Sequence, residues 1–505
     1  MSEPTKRTYR FGPLEQRGLI GSFRRGQLVC VGTASVIAVL TLNVFSTSGG
    51  LAVALLLIGV GVGVAVVPVQ GRTIEQWAPV CLRWLTRNRR FRSASVTGGV
   101  MSDLAGASTQ RPVNLPPCLQ GCELLGVPTA DSSVGVMRDR RDGALTAVVA
   151  IRIRAVGLLP TNEHEARLAR WGDVLAGMAR NGLPIRRLQI LQRALPADGD
   201  ELWRHFLEAR DSTVPEEAPL ERSYVSLLEQ ARQATQDHEV LLAFQVDERK
   251  ALARARRDAR SQRLSREEQA QIVLLREVRT LLGRFDPTDV EIAGVLSPEQ
   301  YVAAIRSAYD PYRHVARQAN DGGVPAVVDF APTAADIEWS SYRTDGAIHR
   351  SYWISQWPRL PVGPLFLTPL LLGSHAAHTM SLIIEPIAPA RSRRDVEAAI
   401  TSDEADEELR ERRGFRTTAR RRRQQSAAVD REEELASGHE EVRFAGFVTV
   451  SGRTSIELDE ACERVEQAAQ QAHLELEPLW GEQDAGFVHG ALPVARGLAD
   501  HHSLL

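Results

Sequence analysis

Two uninterrupted apolar stretches stand near the start of the chain, Leu28 to Phe45 and Leu51 to Val69, divided by Ser46-Thr47-Ser48-Gly49-Gly50. Neither stretch contains Asp, Glu, Lys, Arg or His. Each approaches the ~20 residues that cross a ~30 Å hydrocarbon core as a helix. Neither shows the polar stripe of a soluble helix. The pattern predicts a transmembrane hairpin over 28–69, with spans 28–45 and 51–69. Gly59 and Gly63 form a Gly-x-x-x-Gly face on the second span, expected to permit close packing within the hairpin. The glycines also weaken that helix, so a single span with a re-entrant second segment is the alternative.

Beyond residue 70 the period changes. Trp77 and Trp84, among Ile74, Leu82, Leu85 and several arginines, predict an interfacial segment with the tryptophans as membrane-surface anchors. Residues 93–128 are rich in Gly, Ser, Thr and Pro and read as linker, so 70–128 is taken as interfacial segment plus linker. Strand-like runs at 134–137 and 144–153 flank a turn at 139–143. Leu168, Trp171, Val174, Leu175 and Met178 recur at helical spacing within 162–180. A strand at 185–192, helices at 201–209 and 224–237, and a strand at 239–246 follow. Charged helices over 249–285, broken at 261–265, precede a short strand at 290–295 and a helix at 298–309. This defines a first α+β domain, 129–333.

A second α+β domain, 334–497, is expected from strands at 337–343 and 347–357 around Asp345-Gly346, a strong turn signal. Further strands fall at 378–386, 441–451 and 474–479, with an amphipathic helix at 455–472. Residues 391–437 read as a long charged helix or helix pair. The order predicts a split β-α-β arrangement. The expected fold class is therefore membrane-anchored α+β, with a two-helix hairpin, antiparallel or mixed sheets and long charged helices. A tail, 498–505, completes the chain.

Charge sets the orientation. Lys6, Arg7, Arg10, Arg17, Arg24 and Arg25 precede the hairpin, and Arg72, Arg83, Arg87, Arg89, Arg90 and Arg92 follow it. Basic flanks stay cytoplasmic, so both termini are expected inside the cell. The basic lead, 1–27, interleaves Tyr9, Phe11, Leu14, Leu19, Ile20 and Phe23 with arginines. It reads either as an amphipathic surface segment or as a loop with anchoring aromatics. Over all 505 residues, 61 basic and 63 acidic side chains leave a net charge of −2. That balance predicts no direct nucleic-acid partner.

Candidate chemistry is sparse. Lysine occurs only as Lys6 and Lys250, and neither lies in the Gly-x-x-x-x-Gly-Lys context of a phosphate loop, which excludes a Walker-type ATPase. Cys118 with Cys122, and His375 with His378, are each only half of a zinc ligand set. The five cysteines are scattered and fit a reducing interior. The Arg420 to Arg423 cluster is balanced by neighbouring glutamates and reads as a solvated helix face. No catalytic residue, cofactor or metal is expected.

Two resemblances extend this picture. Residues 9–90 resemble the PrgI-like small inner-membrane components of conjugative type IV secretion systems, through Tyr9-Arg10-Phe11-Gly12-Pro13-Leu14-Glu15 before the hairpin and Gly71-Arg72-Thr73-Ile74-Glu75-Gln76-Trp77 after it. Residues 346–497 look like the N-terminal domain of VirB-type (TrbE/CagE-like) conjugation ATPases. The carrying residues are Ser381-Leu382-Ile383-Ile384-Glu385-Pro386, Arg413-Gly414-Phe415, Gly438-His439-Glu440-Glu441, the stretch 444–472 and Ala491-Leu492-Pro493-Val494-Ala495-Arg496-Gly497. In those ATPases a similar Leu-Pro segment leads on to the motor, which this sequence lacks. The whole arrangement is similar to actinobacterial proteins of conjugation-type loci, some grouped with the EccE-like component of type VII secretion. The resemblance implies a multi-pass membrane scaffold, oligomeric within a secretion complex, that docks a separate conjugation-type ATPase. An EccE-like translocon role and a membrane-anchored regulator are the alternatives.

Overall fold

The computed structural model of the protein describes residues 25–44, 48–69, 72–93, 115–129, 132–153, 160–179, 182–196, 205–210, 214–215, 218–234, 236–256, 264–285, 290–312, 330–412, 426, 431–436 and 440–497. Most of the basic lead, Ser46 and Thr47 of the hairpin turn, most of the 93–128 linker, the Arg420 to Arg423 cluster and the 498–505 tail lie outside the described residues, while Ser48, Gly49 and Gly50, expected in the turn, open a helix. The chain forms two compact units: one comprises 11–89, 393–438 and 499–505, the other 1–10, 90–392 and 439–498.

In the first unit, helices α1 (Arg25–Val44) and α2 (Ser48–Val66) pack along each other. A two-residue ladder, β1 (Pro68–Val69) with β2 (Arg72–Thr73), leads into α3 (Ile74–Thr86). Among the described residues, one helix, Gly26–Val44, is long and apolar enough to cross a membrane, and only 6% of its apolar window is buried. The apolar part of α2 is shorter, Gly49–Val64. Val29, Val36, Leu40, Leu55 and Leu56 are all more than half exposed, so neither helix hides its side chains in protein.

The second unit is built on one sheet of 13 strands among the described residues, and every registered pair is antiparallel. Its first half contains β4 (Cys122–Pro128), β5 (Ser133–Asp139), β6 (Ala144–Ile153), α4 (Thr161–Met178), β7 (Ile185–Pro196), α5 (Pro219–Ala234) and β8 (Gln236–Asp247). It continues with α6 (Glu248–Ala255), α7 (Arg266–Leu282), β9 (Val290–Val295) and α8 (Pro298–Tyr309). The second half contains β10 (Ala334–Ile337), β11 (Tyr342–Arg343), β12 (Ile348–Gln356), α9 (Thr368–Leu372) and β13 (His378–Pro386), after which α10 (Pro389–Arg412) belongs from residue 393 to the other unit. The second half ends with β14 (Val442–Gly452), α11 (Ser455–Gln471), β15 (Glu475–Pro478) and α12 (Gln483–Ala491). A short strand β3 (Arg90–Arg92) pairs with β10.

The sheet order β3-β10-β11-β12-β14-β13-β7-β8-β6-β5-β4 reads the same from both ends apart from β3. In each half the last strand of the split crossover, β7 or β13, lies innermost, and the outer edge of its first strand, β6 or β12, is shared. β5 and β9 divide the edge of β6, and β11 and β15 divide the edge of β12. The halves meet where β7 runs antiparallel to β13, from Leu188 opposite Ile384 to Ala194 opposite His378. This is an internal two-fold. Register carries it to individual residues. Glu123 pairs with Arg138 as Asp336 does with Arg343, Leu124 with Met137 as Ile337 with Tyr342, and Arg138 with Leu145 as Arg343 with Ile348. Both central strands follow the same tripeptide, Asp142-Gly143-Ala144 and Asp345-Gly346-Ala347. Gly143 sits at φ +58, a conformation that glycine takes without strain.

Local signals explain the helices. Ser265 with Glu268 and Ser297 with Gln300 close capping boxes at the starts of α7 and α8, and Pro298 takes the first helical position. The apolar stripes of α4 and α7 (Val174, Met178, Val273, Leu274, Val278, Leu281) cover one sheet face over Leu145, Ala147, Leu242 and Phe244. In the second half, Leu458, Ala461, Cys462 and Val465 of α11 cover Ile348, Tyr352, Val448 and Val450. On the opposite face, residues of both halves share one core, in which Leu191, Leu241, Tyr301 and Tyr309 meet Ile337, Tyr342, Phe487 and Leu492.

That shared core corrects the expected organisation. Residues 129–333 and 334–497 are two halves of one body, because each leaves a strand edge that only the other covers. The linker assignment up to 128 also fails at its end. Cys122–Pro128 is a strand, and Leu115, Leu119 and Cys122 are buried with the core. The strand expected over 337–343 is two strands, since Glu338 N–H donates to Ser341 O (2.9 Å) and Ser341 Oγ–H to Glu338 Oε2 (2.6 Å), closing a turn between them. Residues 236 and 237, expected at the end of a helix, already belong to β8.

Candidate functional site

The most elaborate polar arrangement lies across the junction of the two halves. α12 packs over β12, β13 and β14. Gly486 and Gly490, four residues apart on one helix face, make this approach possible. A Cβ at Gly486 would stand 2.8 Å from Ser351 Cβ, and one at Gly490 would stand 2.3 Å from Thr449 Oγ1. Gln483, fully buried, accepts from Ser351 N–H (2.8 Å) and fixes the start of the helix to β12. The chain then leaves α12 as an irregular strap over residues 491–497, with a tight turn from Leu492 O to Val494 N–H (2.9 Å) and positive φ at Ala495 and Gly497.

Five consecutive strap carbonyls each accept a hydrogen bond from a first-half side chain. Arg193 Nη2 donates to Ala491 O (3.1 Å) and Gln189 Nε2 to Leu492 O (3.0 Å). Tyr301 Oη donates to Pro493 O (2.6 Å), Gln245 Nε2 to Val494 O (3.2 Å) and Arg187 Nη1 to Ala495 O (3.5 Å). Gln189 is bidentate, because its Oε1 also accepts from Ala495 N–H (2.7 Å). The strap cannot join the sheet as a strand, so side chains replace a neighbouring backbone and satisfy its buried polar groups. Main-chain recognition of this kind is indifferent to the side chains of the bound segment.

The far end of the strap is held by charge. Arg496 donates through Nε to Asp139 Oδ2 (2.6 Å), through Nη1 to Cys118 O (2.5 Å) and through Nη2 to Cys122 Sγ (3.1 Å). Burial works against the Arg496 charge, yet Cys122 and Asp139 raise its pKa above the usual arginine value. Burial pushes the Cys122 thiol up to about 11 despite the neighbouring guanidinium, so it remains a thiol. Burial lowers the pKa of Arg193, opposed by Glu239 at 3.2 Å. Two histidines flank the region, His349 buried and His489 half-buried, and burial brings each down to about 3. His349 bonds Thr344 Oγ1 (2.9 Å) and Ser451 Oγ (2.8 Å), and His489 packs on Phe447.

The residues singled out in the sequence lie elsewhere. Gly59 and Gly63 do not form the hairpin seam, since a Cβ at either meets nothing within 4 Å. Gly61 faces the partner helix instead, with Ala34 Cβ 2.3 Å from where its own Cβ would be. The two positions expected to pack face away because the contact line runs through the residue between them. Trp77 and Trp84 lie on α3, half-buried, with the Arg72 guanidinium 5.4 Å from the Trp77 ring and that of Arg89 4.2 Å from the Trp84 ring. His378 is a core histidine with Nδ1 near Ser374 Oγ and Ala376 O. Lys250 N–H donates to Asp247 Oδ1 at the start of α6. Among the described residues, no group of three or more His, Cys, Asp or Glu stands ready to hold a metal ion.

The comb escaped sequence reading because Gln189, Arg193 and Gln245 alternate with apolar residues as a solvated strand face does. The signal that could have exposed it is the paired Asp-Gly-Ala tripeptide, which announces a duplicated half. No family model matches the sequence, and no curated protein matches it.

Proposed function

We propose that this chain is an inner-membrane scaffold of a type IV secretion or conjugation-like translocation machine, which docks a separate cytoplasmic ATPase and performs no catalytic step itself. The observation that carries the reading is the bare apolar helix Gly26–Val44 in one chain with a large α+β body. Side chains exposed along such a helix are stable when lipid is the solvent. In this reading α2 is the second span, both termini are cytoplasmic, and Trp77 and Trp84 lie at the inner interface beside their arginines. The resemblance of 346–497 to the N-terminal domain of conjugation ATPases supplies the partner, and the charged segment 391–437 steers the encounter. Several copies assemble within the complex.

Two measurements on the full chain test this, since 335–497 shares its core with the first half. In a cysteine-free background, an external thiol reagent should label a cysteine replacing Ser48 and leave one replacing Ser93 unlabelled in intact cells. Labelling at Ser93 removes the topology. Cross-linking in native membranes should recover a conjugation-type ATPase. Recovery of an FtsK-like ATPase instead makes the protein an EccE-like type VII component, and recovery of neither leaves the regulator.

A further inference from the structure

The internal two-fold makes one asymmetry informative. In the second half the outermost strand, β10, is covered by β3, with Arg92, Phe91 and Arg90 opposite Ala334, Ala335 and Asp336. Arg90 Nε lies 3.7 Å from Asp336 Oδ1, and Phe91 packs against the core. In the first half the equivalent strand is β4. Among the described residues, β4 pairs only with β5, so its outer edge has no strand partner. Glu123 occupies the place of Asp336, and Leu124 that of Ile337. Glu123 is half-exposed, and its carboxylate now meets the exposed Arg140 at 2.8 Å. The strand Cys122-Glu123-Leu124-Leu125-Gly126-Val127-Pro128 has no lysine, no bulge and no proline before its last residue, and Glu123 is its one charged side chain.

We propose that the outer edge of β4 is a docking site for an extended segment of a partner protein in which basic residues alternate with an aromatic one, added as an antiparallel strand. The chain itself shows the fit, because Arg90-Phe91-Arg92 occupies the same position on the other half. Backbone bonds to the edge give affinity, and an arginine opposite Glu123 fixes register and direction. This inference stands on the sheet topology and is independent of the secretion reading.

The test uses the detergent-solubilised full chain and a fluorescent peptide with the sequence of residues 88–93, Asn-Arg-Arg-Phe-Arg-Ser. Saturable binding is expected, weakened about tenfold or more by Glu123→Arg, which exchanges an opposite for a like charge across the strands. Leu125→Pro, which removes an edge N–H, should weaken it as well, with Glu123→Arg as the surface variant that keeps the fold. A photoreactive group at the peptide phenylalanine should label β4. A peptide with glutamates in place of the arginines should not bind. The proposal is overturned by absence of saturable binding, by binding that Glu123→Arg leaves unchanged, by labelling of β10 instead, or by concentration-dependent self-association that excludes the peptide and places a second copy on the edge.

Discussion

Replacing Arg496 by methionine removes the cation that ties the strap to the β5–β6 turn while keeping most of the side-chain volume. Asp139, with its side chain 6% exposed, would then keep only the backbone N–H groups of Arg141 (3.0 Å) and Asp142 (3.3 Å) as donors. Cys118 O and Cys122 Sγ would lose the Arg496 N–H groups they accept from. Breaking a buried pair by removing one member costs about 3–5 kcal/mol, because an uncompensated charge stays behind. The exposed pair Arg140–Glu123, at a similar distance, would cost below about 1 kcal/mol. The assay is urea unfolding of the full chain in detergent at pH 7, followed by tryptophan fluorescence. Arg496→Met should lose about 3–5 kcal/mol, and adding Asp139→Asn should recover part of that loss, since a neutral amide needs no counter-charge. A loss below about 1 kcal/mol, or a double variant no better than the sum of the singles, would refute the view that charge locks the strap.

Three further outcomes follow. His349 and His489 are neutral in the fold down to about pH 3, whereas unfolded histidine titrates near ~6.5; the unfolded chain therefore takes up protons first, and stability present above pH 6.5 is lost as pH falls from there toward 3. His349→Gln should flatten that slope, and an unchanged slope would count against the neutral buried ring. Gly452→Ala places a Cβ 2.6 Å from Leu458 N and 2.8 Å from its Cα, backbone atoms that cannot swing aside, so unfolding experiments should show a loss of about 1–3 kcal/mol. In the hairpin, Gly61→Ala should lower thermal stability in detergent while Gly59→Ala and Gly63→Ala leave it unchanged, and the reverse order would restore the Gly-x-x-x-Gly seam.

Elements with local causes were legible. The Pro298–Tyr309 helix and the His378–Pro386 strand follow from caps and alternation and lie where the sequence places them, whereas α6 ends at Ala255, earlier than the break expected at 261–265. Neighbours were not. Alternation says that a strand has two faces but not which strand lies beside it, so the β7–β13 pair joining the halves left no local mark. α12 was hidden for a related reason. Buried on nearly every side, with two glycines and no side-chain cap, it lacks the stripe by which helices announce themselves. The polar residues at the site carried no mark of their role, because a buried glutamine and a solvated one look alike in one dimension.

The strap also sets a schedule for biosynthesis. Gln189 and Leu492 are 303 positions apart, and Asp139 and Arg496 are 357 apart. The comb of β7 and β8 leaves the ribosome long before the segment that satisfies it. In the interval its arginines and glutamines, and the apolar surface around them, face water or a chaperone. Contacts of such separation close slowly, because the chain must give up much freedom before any bond rewards it. A nascent chain stalled before residue 491 thus presents an open groove to the quality-control machinery of the cell, whereas one carrying residues 491–497 does not. Closure of the core in this protein waits on the synthesis of residues 491–497.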